Sequence, residues 1–165
     1  MTETWRPVAD YEGAYEVSDL GRVRSIARIT SHGHRRRGVT LKPVPMPSGY
    51  LIVNLWWANQ PRIWLIHRLV LIAFVGLQPD GMEALHRDGD PGNNTLSNLR
   101  WGTHSENQLD QVAHGTHANA AKDRCREGHL FDDANTYTYP GRNKRGCRAC
   151  RRRWVLAHHQ RKASA

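Results

Sequence analysis

The stretch from Glu83 to Asp110, EALHRDGDPGNNTLSNLRWGTHSENQLD, decides the fold. Met82 to Arg87 alternates as a short strand, which puts His86 on the face opposite Leu85. Gly89, Gly92 and the pair Asn93-Asn94 then make a loop of left-handed backbone positions and side-chain-to-backbone hydrogen bonds, with Leu96 and Leu99 pinning it to the core. Arg100-Trp101-Gly102 resumes as a second strand. Thr103 and Glu106 have the spacing of a capping box, N-cap and N3, so a helix starts at about His104 and Asn107 falls about one turn in. The order is strand, strand, helix, with His86, Asn98 and Asn107 spaced H-x11-N-x8-N across it.

Upstream, Gln78-Pro79-Asp80-Gly81 is a turn. Before it, Leu69, Val70, Ala73 and Phe74 recur at helical spacing from His67 to Gly76, a C-cap candidate. Trp64, Leu69, Ile72 and Phe74 read as core. His67-Arg68, at the head of that helix, is placed where a phosphate can be held, although a structural histidine fits the position equally. The apolar runs Leu51 to Trp57 and Arg62 to Ile66 make a hairpin around the polar break Ala58-Asn59-Gln60-Pro61. Thr40 to Ser48, with three prolines, is a linker or sheet edge. Near the start, Tyr15 with Val17 and Val23 with Ile26 suggest two short strands joined by Ser18-Asp19-Leu20-Gly21. Arg22, Arg24 and the run Arg35-Arg36-Arg37 interleave with small and polar residues, a pattern that suits phosphate contact better than a merely solvated face.

The net charge of +9 points to a polyanionic partner. A membrane is the competing reading, but the apolar run Ile63 to Val75 is interrupted by His67 and Arg68 and is too short to span a bilayer. The N-terminus has neither a basic nor an apolar signal region. All three cysteines fall after residue 124 in metal-ligand spacing, which favours a reducing compartment. A cytoplasmic protein is the expectation.

Those cysteines belong to a second pattern. Cys125, His129, Cys147 and Cys150 are spaced C-x3-H-x17-C-x2-C, four soft or borderline ligands in two close pairs, which suits a closed, structural zinc site. From residue 121 onward twelve lysines and arginines face four acids, a surplus of eight that nearly equals that of the whole chain. Ala149 to Ala163 lacks Gly and Pro and reads as a helix, carrying Arg151, Arg152 and Arg153 on several faces to grip phosphates.

Three resemblances run along the chain. Trp5, Pro7, Val8, Tyr11, Glu12, Tyr15, Val17, Ser18, Leu20, Gly21, Val23, Arg24 and Ser25 resemble, in order, the NUMOD4 motif that precedes HNH nuclease domains in phage and intron-encoded endonucleases. His67-Arg68-Leu69-Val70, Phe74, His86, Asp88-Gly89, Asn93-Asn94, Asn98-Leu99, Trp101, Thr103 and Ser105-Glu106-Asn107 resemble the HNH, or ββα-metal, nucleases themselves. The Cys-His-Cys-Cys segment, with Asn135-Thr136 and Gly141-Arg142, is similar to elements at the ends of phage HNH proteins. The resemblance implies His86 as general base, Asn98 as the loop-fixing asparagine that also positions His86, and Asn107 as a ligand of the catalytic metal. Phosphodiester hydrolysis needs these types: a neutral imidazole titrates near working pH, and a hard divalent cation neutralises charge on the phosphoryl and leaving oxygens.

The family usually has a metal-binding carboxylate just before the histidine, where this chain has Leu85. The second ligand is then open among Asp88, Asp90 and His104.

The expected architecture is α+β: an N-terminal β-hairpin module that contacts DNA (residues 1–45), a small ββα-metal core (46–114) and a basic zinc-bound module (115–165). The expected function is that of a metal-dependent DNA endonuclease of homing or phage HNH type, using Mg2+ or Mn2+ for catalysis and Zn2+ for structure. It would act on double-stranded DNA, phage-encoded in a bacterial cytoplasm; the sequence does not fix its oligomeric state, with a monomer favoured. Its DNA contacts would come from Arg22, Arg24, Arg35, Arg36, Arg37, His67, Arg68, Arg100, Arg151, Arg152 and Arg153. The alternative is a DNA-binding protein with a degenerate core. RNA fits less well, because no aromatic platform lies on an obvious sheet.

Overall fold

In the computed structural model of the chain, residues 2–29, 33–57, 60–142 and 144–163 are described. They divide into two compact units, Met1–His114 and Gly115–Ala165.

The first unit opens with strands β1 (Trp5–Pro7), β2 (Tyr15–Ser18) and β3 (Val23–Ser25), an antiparallel sheet with β2 central. The β2–β3 hairpin matches the sequence reading, whereas β1 was not expected. Trp5-Arg6-Pro7 shows no apolar alternation, and Pro7 is tolerated because β1 lies at the edge, where a missing N–H costs nothing. Gly21 closes the hairpin at φ 78°, and a Cβ there would stand 2.8 Å from the Asn94 carbonyl oxygen. The turn therefore lies directly against the loop that follows His86, and Leu96 N–H donates to the Asp19 carbonyl at 2.8 Å.

A short exposed ribbon, β4 (Arg28–Ile29) with β5 (Arg35–Arg36), comes next. The second sheet is β6 (Val44–Pro45), β7 (Leu51–Trp57) and β8 (Gln60–Leu65), with β7 central. Val44-Pro45 thus uses the proline-rich segment as a sheet edge. Of the anticipated polar break, Ala58-Asn59 lies outside the described residues, while Gln60 and Pro61 pair with Trp57 and Trp56. Helix α1 (Ile66–Phe74) follows without a loop, and Gly76, at φ 125°, bonds back to the Leu71 carbonyl.

Tyr11, Val17, Val23, Val53, Leu55, Ile66, Val70, Leu71 and Leu99 meet in one buried cluster, so residues on both sides of position 45 share a core. Full burial of side chains this size is worth roughly 1.5–3 kcal/mol each, and that cluster fixes the elements that carry the site. Those are β9 (Met82–His86), β10 (Leu99–Thr103) and α2 (His104–Ala113), the expected ββα order. The capping box is complete: Thr103 Oγ1 accepts from Glu106 N–H at 3.2 Å, and Glu106 Oε2 accepts from Thr103 N–H at 2.7 Å.

In the second unit, β11 (Thr136–Thr138) pairs with β12 (Arg145–Cys147), which runs into α3 (Arg148–Ala163). Among its described residues only Cys147 is a buried hydrophobic. About fifty residues with so little core need another source of stability.

Candidate active site and metal centre

His86 ends β9, 9% exposed. Its ring sits 5.1 Å from that of His67 and 5.9 Å from that of Tyr50. Its Nε2 is 3.3 Å from Asn94 Oδ1, and Asn94 Nδ2 donates to the Gly92 carbonyl at 3.2 Å. That second bond fixes which end of the amide faces the ring. Asn94 Oδ1 accepts from Nε2–H, so Nδ1 keeps the lone pair. Burial lowers the His86 pKa below its ordinary 6.5, with the Asn94 bond and the charges of Asp88 and Asp90 opposing. The imidazole is neutral at physiological pH, the form that accepts a proton.

The sequence reading gave Asn94's contact to Asn98. In the structure the Asn98 amide turns to the loop instead: Oδ1 accepts from Asp88 N–H (3.1 Å), and Nδ2 donates to Asp88 Oδ1 and to the Asn93 carbonyl, both at 2.9 Å. The physical reason is the 3₁₀ turn Leu96–Asn98, which brings Asn98 beneath the loop while Asn94, four residues earlier, reaches the ring. Asp88 also accepts from Asp90 N–H and Asn93 Nδ2, contacts that hold its carboxyl down to about 2. Asp90 accepts from Gly92 N–H at 2.8 Å. Both carboxylates that were candidates for the metal thus brace the loop.

The other face of β9 looks toward α2. Leu85 lies against Gly102, where a Cβ would meet its Cδ1 at 2.5 Å, and it is 3% exposed. Two residues earlier on that face, Glu83 Oε2 accepts from Asn107 Nδ2 at 2.7 Å, and Oε1 is 3.0 Å from His104 Nδ1. The Asn107 bond, first, and the His104 bond hold the Glu83 carboxyl below its ordinary range. Sequence reading missed Glu83. The strand alternation that paired it with Leu85, and the capping box that fixed where Asn107 falls, were the signals that could have found it. The Glu83 carboxylate and the Asn107 amide carry oxygen donors suited to a hard divalent cation, with the His104 imidazole bonded to the carboxylate.

The anticipated phosphate contacts divide. His67 is buried, 4% exposed, with Nδ1 lacking a hydrogen-bond partner and its pKa lowered by burial to about 3. It packs between Tyr50 and His86 instead of meeting solvent. Arg100 is turned to Glu106 (3.0 Å) and Asp110 (2.7 Å). Arg22 pairs with Glu3, and Arg24 with Glu16 at 2.6 Å beside the Trp5 ring. Arg35, Arg36, Arg37 and Arg68 are exposed. In the second unit, Arg153 pairs with Glu127 at 2.9 Å, while Arg151 and Arg152 line an open groove of about 750 Å³ with Tyr137, Arg148, Val155 and Leu156.

The four metal-spaced residues converge. One ligand atom each from Cys125, His129, Cys147 and Cys150 lies within 4.8 Å of the others, and Cys125 Sγ and Cys150 Sγ are 3.6 Å apart, each 3.4 Å from His129 Nδ1. These separations fit ligands around a tetrahedral ion with bonds near 2.3 Å to sulfur. Cys150 N–H, above all, draws the Cys147 thiol down to about 6, with Asn135 Nδ2 also donating to its sulfur at 3.3 Å. Burial, first, and the neighbouring thiols push Cys150 up to about 12. The four ligand atoms are arranged as a cluster that can hold a metal ion, within the chain's second unit.

Residues 3–56 match the NUMOD4 motif and residues 65–109 an HNH endonuclease. DNA endonuclease I-HmuI of Bacillus phage SP01 is 35% identical over 112 residues, 68% of this chain and 59% of that protein. An uncharacterized HNH endonuclease, L245, of Acanthamoeba polyphaga mimivirus is 27% identical over 115 residues, 70% of this chain and 32% of the relative. The chain thus spans about three fifths of I-HmuI and a third of L245. A solved structure of DNA binding and cleavage by the HNH homing endonuclease I-HmuI aligns with 34% identity and a TM-score of 0.57, over 68% of this chain and 60% of that one.

Proposed function

We propose that the chain, which carries an HNH endonuclease segment at residues 65–109 behind a NUMOD4 motif, is a metal-dependent endonuclease that nicks or cleaves double-stranded DNA. The observation that carries this reading is His86: a buried, neutral imidazole tethered through Nε2 by Asn94, on the strand β9 whose opposite face meets Asn107 through Glu83. Its Nδ1 takes the proton of the attacking water, while Asn98 holds the loop through Asp88 and so keeps the histidine's surroundings fixed. Asn107 would hold a Mg2+ or Mn2+ ion, which would supply positive charge where negative charge develops on the phosphoryl oxygens. The exposed arginines Arg35, Arg36, Arg37 and Arg68 grip the duplex backbone, joined by Arg151 and Arg152 of the second unit.

In this reading residues 1–45 form a DNA-contacting module, 46–114 the core and 115–165 a zinc-stapled module. The Cys-His-Cys-Cys cluster takes Zn2+, all four positions being filled by protein, so the ion is structural. The likeness to a phage homing endonuclease supports a phage-encoded enzyme of homing type acting in the host cytoplasm. A second reading rests on Leu85: a chain without a metal carboxylate at that position would bind DNA and leave it intact. Incubating supercoiled plasmid with the zinc-loaded chain and Mg2+ or Mn2+ separates the two. The endonuclease reading expects nicked or linear product that vanishes in His86→Ala. Retarded but uncut plasmid under both metals would favour the binding protein.

A further inference from the structure

Resting on the reading of residues 65–109 as a nuclease core, we propose that Glu83 supplies the carboxylate for the catalytic divalent ion that Leu85 cannot, with Asn107 as its companion ligand and His104 holding it in place. Strand alternation puts residues 83 and 85 on the same face of β9, about 7 Å apart along the strand. The β9–β10 register sets Glu83 opposite Gly102, one residue before the helix N-cap. At that level it faces the first turn of α2, and its extra methylene relative to aspartate extends its reach along it. Both oxygens are already engaged with that turn, Oε1 with His104 Nδ1 at 3.0 Å and Oε2 with Asn107 Nδ2 at 2.7 Å.

An asparagine amide turned through half a circle presents Oδ1 where Nδ2 stood. The chain would then offer two oxygens within about 3 Å of each other, the separation of neighbouring ligands around an ion with bonds of 2.0–2.1 Å. The His104 bond keeps the carboxylate aimed while Oε2 is given to the ion, a tether of the kind that outer groups provide at metal centres. The competing carboxylates are tied to their own loop: Asp88 accepts three side-chain or backbone donors from Asp90, Asn93 and Asn98, and Asp90 holds Gly92. The Glu83 and His104 side chains are 42% and 70% exposed, which leaves the site open to a phosphate. Leu85 fills the space beneath it against Gly102.

The test uses the full-length, zinc-loaded, 15N-labelled chain without DNA, titrated with Mn2+ and read by paramagnetic line broadening. Broadening is expected to centre on the Asn107 side-chain amide and the backbone amides of Glu83 and His104. Glu83→Gln, neutral and of the same shape, is expected to raise the Mn2+ needed for that broadening at least tenfold while leaving the spectrum otherwise dispersed. Adding Leu85→Asp to Glu83→Gln is expected to restore it. Broadening centred on Asp88–Asp90, or unchanged broadening at Asn107 in Glu83→Gln, overturns the proposal. The two readings fail separately. A chain that binds Mn2+ at Glu83 yet never nicks DNA refutes the nuclease and leaves the ion site standing. Native-rate nicking by Glu83→Gln refutes the ion site and leaves the nuclease.

Discussion

His67 provides a quantitative test of how the centre is built. It is buried against Tyr50 and His86 with Nδ1 unpartnered, and its pKa falls from 6.5 to about 3, burial first and the neighbouring His86 and Arg68 next. A histidine that refuses its proton when folded leaves the unfolded chain binding more protons everywhere between those two values. Stability therefore falls as pH drops below 6.5 and levels out only below about 3. At about 1.4 kcal/mol for each pH interval of one, the loss from this group is about 2 kcal/mol at pH 5 and approaches about 5 kcal/mol at its limit. His67→Leu keeps roughly the volume and removes both the titration and the orphaned nitrogen. Urea denaturation followed by tryptophan fluorescence should give the variant a stability within about 1 kcal/mol of the native chain at pH 7 and about 2 kcal/mol above it at pH 5. His86, also lowered, leaves a smaller pH dependence behind in the variant. Parallel stability curves for the two proteins from pH 7 to pH 5 would refute the argument that His67 is buried neutral.

Three further outcomes follow from the contacts of the site and its supports. Asn94→Ala removes the acceptor for His86 Nε2–H, so nicking should fall about tenfold or more. Because that bond raises the His86 pKa, the acid limb of the pH–rate profile should also move to lower pH; a merely structural loss would leave the limb in place. Gly21→Ala puts a Cβ 2.8 Å from the Asn94 carbonyl oxygen at a backbone φ of 78°, and should cost about 2 kcal/mol or more in urea titrations. An unchanged midpoint would contradict the close packing of turn and loop. Chelating zinc should collapse the NMR dispersion of residues 115–163 while leaving the Tyr11, Leu55 and Leu71 resonances of the other unit in place, because Cys147 is the one buried hydrophobic described in that region.

What the sequence could disclose was whatever depended on local spacing. The capping box of Thr103 and Glu106 located α2 to the residue, and C-x3-H-x17-C-x2-C foretold the cluster of Cys125, His129, Cys147 and Cys150 because each close pair closes a single turn. What depended on tertiary closure was hidden. Either Asn94 or Asn98 could have met His86 from sequence alone, and the choice is made by the 3₁₀ turn at Leu96–Asn98 and by Gly21 pressing on the Asn94 backbone. Arg100 reads as a phosphate contact until α2 folds back and brings Glu106 and Asp110 to its guanidinium. His67 stands at a helix start, normally an exposed position, but α1 follows β8 with no loop between, so the helix start is carried into the core. Glu83 is hidden in the sequence because it lies two residues before Leu85, away from the position beside His86, and only the tertiary fold brings it to Asn107.

In the proposed reaction this constellation cuts DNA with His86 as its base. The most direct measurement is the rate of supercoiled plasmid nicking by the zinc-loaded chain in Mg2+ and in Mn2+, native against His86→Ala, across pH 5 to 8. A metal-dependent rate that rises with pH through a pKa below 6.5 and disappears in His86→Ala is the predicted result. Plasmid left intact by the native chain under both metals, or cut equally by His86→Ala, would contradict it.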